Sequence, residues 1–204
     1  MTFKPPPVPS DQRAARTESL IAQKASDLGR WRDAGNLASQ WASRSKLAAA
    51  LIGSGPLRIL DVGAGDMALR GFLPADCDYT PCDIVSRGPD CLVADLNRQE
   101  FPPGAYDCVT FLGLLEYIHD PAWALAMAGR AAPMLVVSYC ADTGGERAYR
   151  RGLGWVNDFT QAGFEELLRA AGWSPTAGVE YKKSAANTQY VWRCVRADDA
   201  GQAA

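Results

Sequence analysis

An apolar run that ends in glycines constrains this chain more than any other feature. Leu57-Arg58-Ile59-Leu60-Asp61-Val62 passes directly into Gly63-Ala64-Gly65-Asp66. A short aliphatic run favours a strand, and the missing side chains of a Gly-x-Gly turn let the backbone approach a ligand. A buried parallel strand feeding such a turn is the unit of an open α/β sheet, which binds ligands at the carboxyl ends of its strands. Asp61 stands two residues before the first glycine, where a dinucleotide-binding turn keeps an apolar residue. A carboxylate there repels a pyrophosphate and attracts a cationic amino acid.

The rest of the chain repeats the same texture after Gly53-Ser54-Gly55-Pro56. Short runs rich in Val, Leu, Ile, Tyr or Cys predict strands near residues 57–63, 78–83, 91–95, 106–112 and 133–140. Two more, 175–183 and 188–196, pair as a hairpin. Helices are expected in the intervals, most clearly over 121–131 and 160–171, the second ending at Gly172. Residues 1–10, with Lys4-Pro5-Pro6-Pro7-Val8-Pro9, predict a disordered arm, because proline lacks the amide donor. Residues 11–52 are alanine-rich and interrupted near Gly29 and Gly35, which predicts an N-terminal extension of two helices. The core then spans 53–196, and 197–204 is a frayed tail.

Acids recur at strand ends. Asp83 closes Tyr79-Thr80-Pro81-Cys82-Asp83, where a carboxylate accepts from both hydroxyls of a ribose. Asp95 closes Cys91-Leu92-Val93-Ala94-Asp95 and suits an adenine amino group. Each acid alone is equally well a helix cap or a surface charge. Together with Asp61 they form one register at three successive strand ends.

These residues resemble class I (Rossmann-like) S-adenosylmethionine-dependent methyltransferases of the small-molecule branch. Ile59-Leu60-Asp61-Val62-Gly63-Ala64-Gly65 resembles the first motif of that family, Asp83 the second and Ala94-Asp95-Leu96 the third. The run from Tyr106 to Pro121 is similar to its fourth strand and following turn, and Phe164 to Trp173 to its penultimate helix. The resemblance implies a three-layer, doubly wound α/β fold. Its sheet has seven strands in the order 3-2-1-4-5-7-6, the last antiparallel. It implies S-adenosylmethionine as cofactor, held by Asp61, Gly63, Ala64, Gly65, Asp83, Ile84, Asp95, Leu96, Leu112 and Gly113. Two positions depart from the pattern: Met67 replaces a third glycine, and Tyr117 replaces a histidine after Leu115-Glu116.

The acceptor is less constrained. His119, the sole histidine, could take a proton from a substrate; it could equally be a residue that merely enters the helix at Asp120-Pro121. Tyr117 either orients substrate or packs. Arg147, Arg150 and Arg151 follow the fifth strand, where they either bind an anionic acceptor or form a solvated loop. Trp31, Trp41, Trp155 and Trp173 either line the pocket or pack in the core. Residues 1–56 carry eight basic against four acidic side chains, which suits a lid over the strand ends or a solvated helical face.

Several classes are disfavoured. A net charge of −2 argues against nucleic-acid partners. Six scattered cysteines with one histidine give no expected metal site, and the absence of a long apolar run gives no membrane partner. A cytoplasmic setting and a small-molecule acceptor are expected, with no Asn/Asp-Pro-Pro-Tyr/Phe segment after the fourth strand to point to base methylation. Three alternatives stand: an aminopropyl-type transferase on the same fold, a non-catalytic cofactor-binding partner of another methyltransferase, and an NAD-dependent oxidoreductase, against which Asp61 speaks.

Overall fold

In the computed structural model, which describes residues 11–37, 42–183 and 187–197, the strand before the glycines is β1 (Arg58–Val62). Ile59 to Val62 are all buried, so the strand reads as a continuous apolar run and not an alternating one. Six more strands complete one sheet: β2 (Asp78–Asp83), β3 (Leu92–Val93), β4 (Cys108–Leu112), β5 (Met134–Asp142), β6 (Trp173–Lys183) and β7 (Asn187–Arg196). Their order is β3-β2-β1-β4-β5-β7-β6, as expected. β1 to β5 are parallel, while β7 runs antiparallel to both β5 and β6.

N-terminal helices α1 (Asp11–Gln23), α2 (Leu28–Arg32) and α3 (Ala42–Ile52) precede the sheet. Between β4 and β5 lies α4 (Pro121–Ala131); α5 (Arg147–Gly152) and α6 (Gln161–Ala170) follow β5. Local chemistry sets these boundaries. The Asp120 carboxylate accepts from the Trp123 amide at 3.0 Å, and Pro121 occupies the first turn, where a missing amide removes no bond. Thr160 Oγ1 accepts from the Gly163 amide at 3.1 Å, and the chain leaves α6 through Gly172 at φ +82°. α4 and α6 cover one sheet face, where Leu125, Phe164 and Leu168 join Leu60, Phe111, Val137 and Tyr139.

The other face differs from expectation. Helices are expected after β1 and after β3, but only short 3-10 turns form there, at Ala68–Phe72 and Leu96–Arg98. Gly65, Gly71 and Pro74 leave no uninterrupted stretch after β1 long enough for a stable α-helix. α3 covers this face instead, with Ala48, Ala49 and Ile52 packed among Ile59, Leu69, Val136 and Val191.

Residues 11–52 thus form three α-helices among the described residues, not two, and they divide in position. α3 lies on the sheet. α1 lies against α5, where the Thr17 hydroxyl reaches the Arg151 carbonyl at 2.8 Å and Glu18 pairs with Arg151 at 3.3 Å. The expected arm at 1–10, Trp41, and residues 198–204 of the expected tail lie outside the described residues. No helix among the described residues is long and apolar enough to cross a membrane.

Candidate functional site

The turn after β1 is built by backbone conformation and fastened by its neighbour. Gly63 and Gly65 have φ +77° and +56°, a region side chains disfavour. The amides of Gly63 and Ala64 donate to the Cys82 carbonyl at 2.8 and 3.0 Å. The Gly65 amide donates to Asp83 Oδ2 at 2.8 Å, so the acid of β2 shapes the turn of β1. Asp83 Oδ1 receives Arg87 at 3.2 Å, a pair in which both side chains are more than nine-tenths buried.

Around this turn opens a cleft of about 900 Å³, its mouth included. Of the candidate cofactor residues, Gly63, Gly65, Asp83, Ile84, Asp95, Leu96, Leu112 and Gly113 line it. Asp61 and Ala64 line a smaller adjoining cavity together with Gly63, Leu112 and Arg44. Asp61 is occupied: Oδ2 accepts from the Tyr79 hydroxyl at 2.6 Å and Oδ1 from the Thr110 hydroxyl at 2.5 Å. Burial raises its carboxyl above the usual range, and those two hydrogen bonds offset part of the rise. Asp95 Oδ1 accepts from the Ser26 hydroxyl at 2.6 Å and the Asn97 amide at 3.0 Å.

The opposite wall comes from the N-terminal segment, in which the sequence singled out Trp31 alone as a lining residue. Ser26 ties this wall to Asp95, and four residues later Arg30 Nη1 donates to the Leu153 carbonyl at 2.7 Å, beyond the end of β5. The segment between them strings across the carboxyl edge of the sheet from β3 to β5. Thr17, Leu20, Asp27, Arg30, Trp31 and Leu37 all line the cleft from this side. Arg44, at the first turn of α3, is a buried cation that lines both cavities. It lies so close to the β4 turn that a Cβ on Gly113 (φ +67°) would overlap its guanidinium. A side chain there would have to displace the guanidinium from a backbone conformation that side chains disfavour.

The expected acceptor residues fall in different places. Arg150 and Arg151 are 1% and 2% exposed and grip Asp158, at 2.7 Å from Arg150 Nε and 2.9 Å from Arg151 Nη1. Arg150 also donates to the Cys140 and Asn157 carbonyls. They brace the loop after β5 and do not line the cleft. Arg147 is exposed and pairs with Glu18 at 3.8 Å. His119 Nε2 lies 3.1 Å from the Ala25 carbonyl, so that nitrogen carries the proton, and the ring is outside the cleft lining. It holds the N-terminal segment down and is not placed as a base. Tyr117 does line the cleft, edge-on to Trp31 with centroids 5.0 Å apart, and its hydroxyl accepts from Trp155 Nε1 at 3.3 Å. Trp173 is core, with Nε1 donating to the Leu125 carbonyl at 3.0 Å.

A family model described as a methyltransferase domain matches residues 25–177. Among solved structures, the chain is similar to the Burkholderia thailandensis 1,6-didemethyltoxoflavin-N1-methyltransferase with bound 1,6-didemethyltoxoflavin and S-adenosylhomocysteine. That likeness has a TM-score of 0.61 at 21% identity, over 96% of this chain and 93% of the other. Magnesium protoporphyrin IX methyltransferase from Synechocystis PCC 6803, with bound SAH, gives 0.58 at 16%, over 90% and 99%. The cyclase SpnF gives 0.59 at 16%, over 96% and 99%. At these identities the likeness carries the fold. Among curated proteins none matches the sequence.

Proposed function

The chain belongs to the methyltransferase-domain family, and from that premise we propose that it transfers a methyl group from S-adenosylmethionine to a small-molecule acceptor. The observation that carries this reading is the convergence of Gly63, Gly65, Asp83 and Asp95 on one cleft. The chemistry of these donors and acceptors fits the cofactor. Asp83, at a strand end, keeps acceptor capacity for ribose hydroxyls beyond its bonds to Gly65 and Arg87. Asp95 Oδ2 makes no hydrogen bond among the described residues and is left to accept from an adenine amine. Arg44 beside the glycine turn supplies a cation for the methionine carboxylate, and Asp61 behind it supplies the matching negative field for the ammonium.

When bound, S-adenosylmethionine would supply a methyl group on a sulfonium, whose carbon–sulfur bonding pair would stay on sulfur as an acceptor lone pair took the carbon. What this chain contributes is placement and exclusion of water. The glycine turn and Asp83 fix one reactant against the strand ends. The segment from Ser26 to Trp31 roofs the other and acts as a lid. No histidine lines the cleft among the described residues, which favours an acceptor that reaches the site already ionised.

Calorimetry with S-adenosylmethionine, S-adenosylhomocysteine and NAD tests the first half: the first two should bind at micromolar strength, about −8 kcal/mol, and NAD should not. Incubation with a metabolite extract, followed by mass spectrometry for products one methylene heavier, tests the second. Binding without any such product would favour a cofactor-holding partner, and the cyclase SpnF shows that proteins of this fold carry other names.

A further inference from the structure

The roofed half of the cleft has a chemistry of its own. Arg30 lines it with its guanidinium 4.6 Å from the Trp31 ring centroid and 5.2 Å from that of Tyr117, two half-buried aromatics. Stacking on aromatic faces uses the plane of a guanidinium and leaves its edge of N–H groups for a ligand. On that edge only Nη1 is used, by the Leu153 carbonyl. Nε is buried without a partner, and Nη2 makes no hydrogen bond among the described residues. Nε with Nη2 is the side-on pair that grips a carboxylate with two parallel bonds. Gly154 makes room for this arrangement, since a Cβ there would overlap the same guanidinium.

The surroundings reinforce the charge and the shape. A second guanidinium, Arg13, is drawn below its usual range by burial and by the like charge of Arg30, so the two cations lie within each other's field. Asp27 on the same wall faces Arg16 at 3.9 Å, and the other lining carboxylates, Asp83 and Asp95, belong to the ends of β2 and β3. Leu20 and Val156 make the remaining surface apolar.

We propose that this half of the cleft takes a flat, conjugated acceptor bearing an anionic group, its ring against Trp31 and Tyr117 and its anion on Arg30. The proposal rests on the reading of the other half as the S-adenosylmethionine site. The arginine that binds the acceptor is then Arg30 of the N-terminal segment, not one of those after β5.

The test uses the full chain and three probes: 2-naphthoate, 2-naphthylmethanol with the same ring and no charge, and cyclohexanecarboxylate with the same charge and no flat ring. Calorimetry is run with and without S-adenosylhomocysteine. Naphthoate should bind at least about tenfold tighter than either other probe, a difference of about 1.4 kcal/mol. Arg30→Gln should erase its advantage over the alcohol and leave the alcohol unchanged, and Trp31→Leu should weaken both naphthalenes. Parity of naphthoate and the alcohol in the unaltered protein, or binding by none of the three, overturns the proposal without any variant. If Arg30→Gln does not fold, Arg30→Lys keeps the charge and loses the side-on pair; undiminished naphthoate affinity in that variant also overturns it. Failure of S-adenosylhomocysteine itself to bind would instead sink the underlying reading, and is seen separately.

Discussion

The two walls of the cleft are built in opposite ways. The floor consists of strand ends and the turns that leave them, so its residues sit within one or two positions of a sheet hydrogen bond: Asp83 pairs in the β2–β3 register, and Gly63 follows the last residue of β1. The roof consists of side chains from short helices and irregular backbone, fastened at points: Ser26 on Asp95, Ala25 on His119, Arg30 on Leu153. A ladder of main-chain bonds fixes the floor whatever the ligand. Single side-chain bonds, each worth about 0.5–1.5 kcal/mol, fix the roof. On the proposed function, the rigid half serves the common reactant and the adjustable half the particular one.

The division can be broken most severely by truncation. Removing residues 1–37 takes away the roof and leaves every sheet contact, so the remaining chain should fold, bind S-adenosylhomocysteine within a few-fold and fail to methylate. Extending the deletion through Ile52 removes α3 and uncovers Ile59, Val136 and Val191. Each such side chain contributes about 1.5–3 kcal/mol by burial, and several together match the roughly 5–15 kcal/mol that holds a domain folded. Circular dichroism should show the longer deletion unfolded. If it folds as well as the shorter one, α3 belongs with the roof.

Asp158 lies under the roof's other support. Asp158→Ala leaves buried Arg150 without its carboxylate and Arg151 with only the exposed Glu18, and should lower stability by about 3–5 kcal/mol in thermal or urea melts. Burial pushes the Asp158 carboxyl up, but the hydrogen bonds from Arg151 and Arg150 outweigh it, and its folded value lies below the ordinary 3.8. A depressed acid adds stability that is complete above its unfolded value and is lost as pH falls through the folded one. Melts from about pH 5 to about pH 2 should show a loss in the native chain that Asp158→Asn lacks. Because α1 rests on Arg151, acceptor turnover should fail at a lower temperature than the fold does.

The floor is probed by Asp83→Ala, which should weaken S-adenosylhomocysteine by at least about tenfold, since each charged hydrogen bond is worth about 1.5–3 kcal/mol. Arg87→Gln keeps the Asp83 carboxylate and removes the cation, and retained affinity in it shows that loss of the Asp83–Arg87 pair is not the cause. It is no accident that this acid was legible in the sequence. Strand ends and glycine turns are local patterns, and their order in the sheet follows from right-handed crossovers. Arg150 and Arg151 read identically to ligand-binding arginines until Asp158, seven and eight residues on, is seen to claim them. Arg30 and Arg44 read as part of a charged helical face, because nothing in their neighbourhood reveals that Gly154 and Gly113, far along the chain, make space for them. The same holds for His119, whose partner is a carbonyl 94 residues away.

The smallest effect is the most discriminating. The Ser26 hydroxyl donates to Asp95 Oδ1 at 2.6 Å and accepts from Asn97 Nδ2 at 2.9 Å, so it ties the roof to the floor at one atom. Ser26→Ala removes that tie without adding bulk, and Asp95 Oδ1 keeps its bond from the Asn97 amide at 3.0 Å. The loss of about 0.5–1.5 kcal/mol should fall on closure of the roof, raising the acceptor KM about two- to tenfold. S-adenosylhomocysteine affinity should hardly move, because the glycine turn and Asp83 do not touch Ser26. If the cofactor weakens more than the acceptor does, the serine instead orients Asp95 for its ligand. Asp95 and Ser26 would then form one binding unit, and the line between rigid floor and adjustable roof would have to be redrawn on the far side of Ser26.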